Sequence, residues 1–240
     1  MLQPFKFKEF TIQQDKTAMK VGTDGVLLGA WCAVDKYPDT ILDIGSGTGV
    51  IALMLAQRSD AMTIDAVEVD ADAYEQTVAN FEKSDWGDRL YCYNATFQEF
   101  AEEIAGEEES YDLIVSNPPF YTDAFESEDE ARNKARFTSA LAFEDLLEGV
   151  SKILSKNGIF STIIPFKEED NFINIAKDQH LFLNRICRVQ GNKTSEVKRS
   201  LLAFSFQETK ILETHLIIEI ARHQYTEAYI HLTKDFYLKM

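Results

Sequence analysis

The sequence predicts an α/β protein built on a mostly parallel sheet with helices on both faces. Strand-length apolar runs alternate with stretches of helical apolar spacing from residue 40 onward. The first run, Thr40-Ile41-Leu42-Asp43-Ile44, passes straight into the glycine loop Gly45-Ser46-Gly47-Thr48-Gly49. A later run, Tyr111 to Ser116, ends in Asn117-Pro118-Pro119-Phe120. Neither proline donates a backbone N–H, and the first keeps Asn117 out of the helical region, so pairing stops and the chain turns there. Ligands of open α/β sheets bind at the carboxyl ends of strands. Both stretches therefore fall where chemistry is expected.

Taken in order, Phe5 to Gln13 alternates aromatic residues as a short strand or hairpin does. Thr23-Asp24-Gly25 offers an N-cap to the apolar helical run ending at Trp31. Strand and glycine loop lead into a helix from Val50 to Arg58. Thr63 to Val69 and Arg89 to Asn94 read as strands, with helices at Ala71 to Lys83 and Phe97 to Ile104. The polar stretch Thr122 to Ser139 is the candidate mobile loop or lid. Phe143 to Leu154 is an amphipathic helix, stopped by Asn157-Gly158. Ile159 to Ile164 follows as a strand, then a helix over Phe166 to Lys177. Strands over Phe182 to Val189, Leu201 to Phe206 and Leu216 to Ile220 precede a last helix over Thr226 to Tyr237. No repeat or Pro/Gly-rich linker divides the chain. We expect one domain over 1–240, with 1–36 as an N-terminal segment covering the site and 37–240 as the core.

Composition narrows the class. With 45% apolar and 27% charged residues the chain is of ordinary globular character. No apolar run approaches the ~20 residues that span a bilayer, and the start lacks a signal-peptide pattern. A cytoplasmic monomer without membrane attachment is expected. Cys32, Cys92 and Cys187 are odd in number and widely spaced, which predicts free thiols. The four histidines have no metal-ligand spacing, so no metal is expected. A net charge of −16 opposes non-specific polyanion binding. Basic islands remain within 1–22 and 185–200, and Lys6, Lys8, Lys193, Lys198 and Arg199 are the candidate contacts to nucleic-acid phosphates.

The glycine loop differs from a dinucleotide fingerprint, because Val50 stands where the third glycine would pack against a helix and an acid precedes the loop. An acid there repels phosphate but can hold an ammonium group. The spacing suits S-adenosylmethionine, with Asp43, Gly45, Gly47 and Gly49 around its methionyl part. Glu68, at the end of the next strand, is placed to accept hydrogen bonds from both ribose hydroxyls. At Asn117 the carboxamide oxygen and the Pro118 carbonyl can each accept one hydrogen of an exocyclic amine, while Phe120 stacks on its ring. Catalysis would then rest on alignment for in-line methyl transfer. A base held in folded RNA must be splayed out to reach such a pocket.

With these residues the chain resembles class I S-adenosylmethionine-dependent methyltransferases carrying an N-P-P-[FY] motif. Over nearly its full length it is similar to the bacterial tRNA (adenine-N6)-methyltransferases that modify the adenosine 3′ of the anticodon of a valine tRNA. The matching stretches are Ala18 to Trp31, Asn117-Pro118-Pro119-Phe120, Ser200 to Ser205, Tyr225 to Tyr229 and Phe236-Tyr237-Leu238. The resemblance implies a Rossmann-like fold with a seven-stranded sheet, cofactor binding at Asp43, Gly45, Gly47 and Glu68, and catalysis around Asn117, Pro118, Pro119 and Phe120. It also implies an acid after the third strand for the cofactor's adenine amine. Ala95-Thr96 stands there instead, leaving Thr96 as a weaker acceptor. Alternatives are a ribosomal RNA N2-guanine enzyme, a protein glutamine N5-methyltransferase and a catalytically silent cofactor- and RNA-binding module. The first two would grip another amine in the same motif. No extra N-terminal helical region suggests a protein substrate, and the intact Asn117 and Phe120 oppose the silent module.

Overall fold

In a computed structural model of the chain, residues 3–119 and 141–239 are described. A hairpin of β1 (Phe5–Lys6) and β2 (Thr11–Ile12) precedes α1 (Thr23–Trp31). Then come β3 (Thr40–Ile44), α2 (Val50–Arg58), β4 (Thr63–Val67), α3 (Ala71–Phe81), β5 (Leu90–Tyr93), α4 (Phe97–Gly106) and β6 (Tyr111–Ser116). After residue 140 follow α5 (Phe143–Ile153), β7 (Leu154–Pro165), α6 (Glu169–Asp178), β8 (Phe182–Asn192), β9 (Val197–Ser205), β10 (Leu212–Ala221), β11 (Gln224–Tyr225) and α7 (Glu227–Thr233).

The large sheet has nine strands in the order β11-β10-β8-β9-β7-β6-β3-β4-β5. From β7 to β5 all neighbours are parallel, and β9 is antiparallel to both β7 and β8. The expected mostly parallel α/β architecture is present. The expected seven strands are extended at one edge by β10, parallel to β8, and β11, antiparallel to β10.

Strands β3, β6 and β7 send alternate side chains to opposite cores, as the two-residue strand period requires. Ile41, Leu113, Val115 and Ile163 join the core packed with α1, α2 and the N-terminal hairpin. Leu42, Ile114, Phe160 and Ile164 join the core under α4, α5 and α6. Burial on both faces is why these strands read as nearly continuous apolar runs. Phe160, Phe172 and Phe204 form one aromatic knot in the second core, with centroids 5.8–6.5 Å apart.

Several boundaries shift by a few residues from the sequence expectation, and two of the shifts have a clear cause. Asn157-Gly158 lies inside β7, where the pairing jumps from Tyr111 opposite Leu154 to Leu113 opposite Ile159. It therefore marks a bulge, and α5 ends at Ile153 as Leu154 turns extended. The final helix stops at Thr233, short of the expected Tyr237, because the tail folds back on the first hairpin. Phe7 bridges and stacks on Tyr237, and Lys8 N donates to the Phe236 carbonyl at 2.9 Å. The expected loop at 122–139 lies outside the described residues.

Candidate functional site

The chain leaves β3 toward one side of the sheet and returns at β6 on the other, so β3 and β6 flank the switch point of the strand order. Their ends are in register, Ile44 opposite Ser116. The glycine loop and Asn117-Pro118-Pro119 therefore depart from the sheet side by side. Gly45 and Ser46 donate their N–H groups to the Val67 carbonyl at 2.9 and 3.3 Å, which folds the loop over the end of β4.

Gly45 and Gly47 have φ of 73° and 57°, and a Cβ on either would meet nothing within 4 Å. Their demand is the left-handed conformation, and what they leave is open space above the backbone. Gly49 differs: a Cβ there would stand 2.7 Å from the Phe81 ring. It shares the left-handed conformation, with φ of 75°, and its missing side chain also seats α2 against α3.

Asp43 lies fully buried beneath the loop. Its Oδ2 accepts the Ala52 N–H of the first turn of α2 at 3.2 Å, while Oδ1 has no hydrogen-bond partner among the described residues. Burial raises its pKa to about 7, and the negative charge of Glu68 adds to the rise. Glu68 is also shifted upward by burial, against the pull of backbone hydrogen bonds. Its Oε2 accepts Gly47 N–H at 2.8 Å and its Oε1 accepts Asp70 N–H at 2.9 Å. Glu68 thus latches the glycine loop to the end of β4, and each oxygen retains a further lone pair for a hydroxyl donor.

Thr96, the candidate acceptor for the cofactor's adenine amine, caps the helix that follows it. Its hydroxyl accepts from Glu99 N–H at 3.2 Å and donates to Glu99 Oε2 at 2.7 Å, closing a capping box at the start of α4. The hydroxyl's donor and one of its two acceptor lone pairs serve the helix. The neighbouring Asn94 was missed. Its Nδ2 donates to the Glu68 and Val69 carbonyls at 2.9 and 3.3 Å, tying the end of β5 to the end of β4 and leaving Oδ1 as its side-chain acceptor. Its position at the last residue of the Arg89 to Asn94 run was the available signal.

A second missed group lies on α3. Gln76, Thr77 and Asn80 are almost wholly buried. Thr77 Oγ1 donates to the Gly47 carbonyl at 2.9 Å. Asn80 Nδ2 donates to the Thr48 and Gln13 carbonyls, both at 2.9 Å, and its Oδ1 accepts Gln13 N–H at 2.8 Å. Gln76 Oε1 accepts Lys16 N–H at 3.0 Å. One helix face therefore holds the glycine loop and the N-terminal segment together. Polar residues at helical spacing read as a solvated face, and no local signal contradicted that.

Asn117 stands at the end of β6 with Oδ1 buried and without a partner among the described residues. Pro118 is buried and Pro119 exposed; Phe120 lies outside the described residues. Among the candidate phosphate contacts, Lys6, Lys193 and Lys198 are exposed. Lys8 Nζ instead donates to the Lys234 carbonyl at 2.6 Å, and Arg199 Nε is 2.8 Å from Asp24 Oδ2. Those two cations thus also hold the chain ends and α1 to the fold. Cys32, Cys92 and Cys187 are unpaired. Among the described residues no cluster of three metal-ligating side chains occurs, and no helix is long and apolar enough to cross a membrane. A cavity of about 390 Å³ lined by Lys36, Tyr37, Asp112, Asn157 and Gln207 opens toward the amino ends of β6 and β7 and touches none of the site residues.

The doubly covered sheet, its strand order and the loop at its switch point define a Rossmann-like methyltransferase. A predicted O-methyltransferase from Agrobacterium tumefaciens shares the fold at a TM-score of 0.67 and 18% identity, over 89% of this chain and 96% of that one. The ribosomal protein L11 methylase of Lactobacillus delbrueckii subsp. bulgaricus does so at 0.53 and 15%, over 77% of each. The chain belongs to the methyltransferase small domain family, whose model matches residues 27–164. Two relatives, from Christiangramia forsetii and Flavobacterium johnsoniae, are both named tRNA1(Val) (adenine(37)-N6)-methyltransferase. The first is 56% identical over 99% of both chains, and the second 59% identical over 98% of this chain and 100% of its own. A Bacteroides fragilis relative of the same name is 46% identical over the whole of both chains.

Proposed function

We propose that this chain transfers a methyl group from S-adenosylmethionine to the N6 amine of adenosine 37, 3′ of the anticodon, in a valine tRNA. The observation that carries the chemistry is the buried Asn117 Oδ1, without a partner among the described residues and set by strand register beside the open glycine loop. Full-length identity to relatives named for that reaction supports the choice of amine and RNA.

S-adenosylmethionine supplies an electrophilic methyl on its sulfonium. Asp43, Gly45, Gly47 and Glu68 would hold it: the open space over the two glycines and the Asp43 Oδ1, unpaired among the described residues, fit a ligand carrying a cationic ammonium. Asn94 Oδ1, rather than Thr96, would accept from the cofactor's adenine amine. Asn117 Oδ1 and the Pro118 carbonyl each accept one N6 hydrogen of the target base, turning the nitrogen lone pair toward the donor. Phe120 stacks on the base. Lys6, Lys193 and Lys198 approach the phosphates. We take 1–240 as one catalytic domain, acting as a cytoplasmic monomer, with 1–36 covering the site; the bonds from Asn80 and Gln76 to Gln13 and Lys16 support that cover.

The test is incubation of RNA from a strain lacking the gene with the enzyme and labelled cofactor, followed by nucleoside mass spectrometry. N6-methyladenosine confined to one valine tRNA is expected. N2-methylguanosine, or label in protein, would overturn the reading.

A further inference from the structure

Strand β7 continues past the switch point after its neighbour β6 has stopped. Ser116, the last residue of β6, pairs with Thr162, yet β7 runs on to Pro165 before Phe166 begins a short 3₁₀ turn. At ~3.3 Å per residue, this carries Phe166 roughly 10 Å beyond the level of Asn117 on the same edge of the sheet. Ile163 and Ile164 below it are fully buried, whereas Phe166 is 40% exposed.

The ring is backed on one side. The Arg188 guanidinium carbon lies 6.0 Å from its centroid. Arg188 is in turn fixed by Glu169, with Nε 3.1 Å from both carboxylate oxygens and an Nη 2.6 Å from one. Glu169 is 5% exposed and also accepts a short hydrogen bond from the Ser200 hydroxyl. A buried carboxylate thus holds a guanidinium that holds an exposed ring, an elaborate support for an ordinary surface phenylalanine. Around the same edge, Lys167 and Lys198 are exposed, Lys198 following the β8–β9 turn, whose position is set by Pro165 pairing with Arg199.

We propose that Phe166, with Arg188 as its support, is a stacking platform for a nucleotide flanking the target adenosine. The inference rests on the reading above that the substrate is tRNA. A base drawn into the pocket at Asn117 loses its stacking neighbours, and the flanking base gains a replacement surface on Phe166. The ring supplies a sequence-tolerant π-face, and the lysines beside it face the adjoining phosphates. Arg188, tied to Glu169 and Glu213, is a positioning residue rather than a phosphate ligand.

The experiment compares wild type, Phe166→Ala and Phe166→Trp on a valine tRNA transcript, and on one carrying 2-aminopurine beside the target. Phe166→Ala is expected to weaken tRNA binding roughly five- to one-hundred-fold. It should also abolish the 2-aminopurine quenching expected on wild-type binding, while cofactor affinity and melting temperature stay unchanged. Phe166→Trp should keep both tRNA binding and quenching. Unchanged tRNA affinity in Phe166→Ala, or a tryptophan variant as weak as the alanine one, overturns the platform alone. A wild type that leaves the transcript unmethylated overturns the functional reading, and the platform with it.

Discussion

Ser116 Oγ donates to the Ile44 carbonyl across 3.1 Å, pinning the last residue of β6 to the last residue of β3. Both residues are buried, and the next residue on each strand belongs to the site. Ser116→Ala is expected to cost about 1 kcal/mol of stability by removing one buried hydrogen bond. It should also lower kcat several-fold with little change in the KM for either substrate, since the two halves of the site lose their common register. Thermal unfolding and steady-state methylation assays measure the two effects.

Asn117→Ala removes the carboxamide acceptor while keeping the backbone turn, which the prolines set. We expect methylation to fall by roughly 10²–10³-fold, the scale of losing one preorganised polar group beside the reacting atoms. Cofactor affinity by calorimetry should survive. Full activity in this variant would reject the assigned role.

Asp43 links stability to cofactor binding. Its folded pKa of about 7 stands above the unfolded value of ~3.9, so the folded protein retains a proton through the window between them. Stability of the cofactor-free protein therefore falls as pH rises through that window, and the cost is complete above about pH 7. Asp43→Asn removes the titration: its stability relative to wild type should grow from pH 5 to pH 8 in denaturant melts. Cofactor affinity of the wild type should rise with pH up to about 7 and level off, because the ammonium group prefers the ionised carboxyl. The asparagine variant should bind weakly at every pH.

Thr96 and Asn94 make opposite predictions. Thr96→Ala breaks the capping box and should cost about 1 kcal/mol of stability, with cofactor affinity within twofold of wild type. Asn94→Ala should weaken cofactor binding about tenfold or more, through the lost acceptor and the loosened tie between β4 and β5. Calorimetric titration of both variants distinguishes them, and a large loss in Thr96→Ala would return the adenine contact to that residue.

The basic residues divide in the same way. Lys193→Glu with Lys198→Glu should weaken tRNA binding and flatten its salt dependence by roughly 0.7–0.9 in log–log slope for each phosphate no longer neutralised, without lowering the melting temperature. Arg199→Glu instead sets like charges against Asp24. It should destabilise the fold by up to about 1 kcal/mol, an effect relieved by Asp24→Lys in the same chain.

What was legible from residues alone follows from locality. Strand and helix periods, the proline stop after Asn117 and the glycine spacing after Asp43 are short-range patterns, and each element they predicted is present within a few residues. The bulge at Asn157-Gly158 was misread as a helix stop because Asn-Gly suits either use, and only pairing with Tyr111 and Leu113 distinguishes them. Strands β10 and β11 join the sheet through edge pairing with β8 and each other, a non-local choice that no local pattern encodes.

By itself, the sequence determined two strand ends as the candidates for the chemistry, one offering a glycine loop behind an acid and the other an amide before two prolines. Only the tertiary structure decided that these ends are neighbours, and which of the candidate polar groups remain available to a ligand. Among the described residues Asp43 and Asn117 each keep a buried oxygen without a partner, while Thr96 is engaged by Glu99, Arg199 by Asp24 and Lys8 by the Lys234 carbonyl. The physical reason is that a side chain's hydrogen-bonding capacity is a local property, whereas the partner that uses it comes from whatever segment the packed sheet brings alongside.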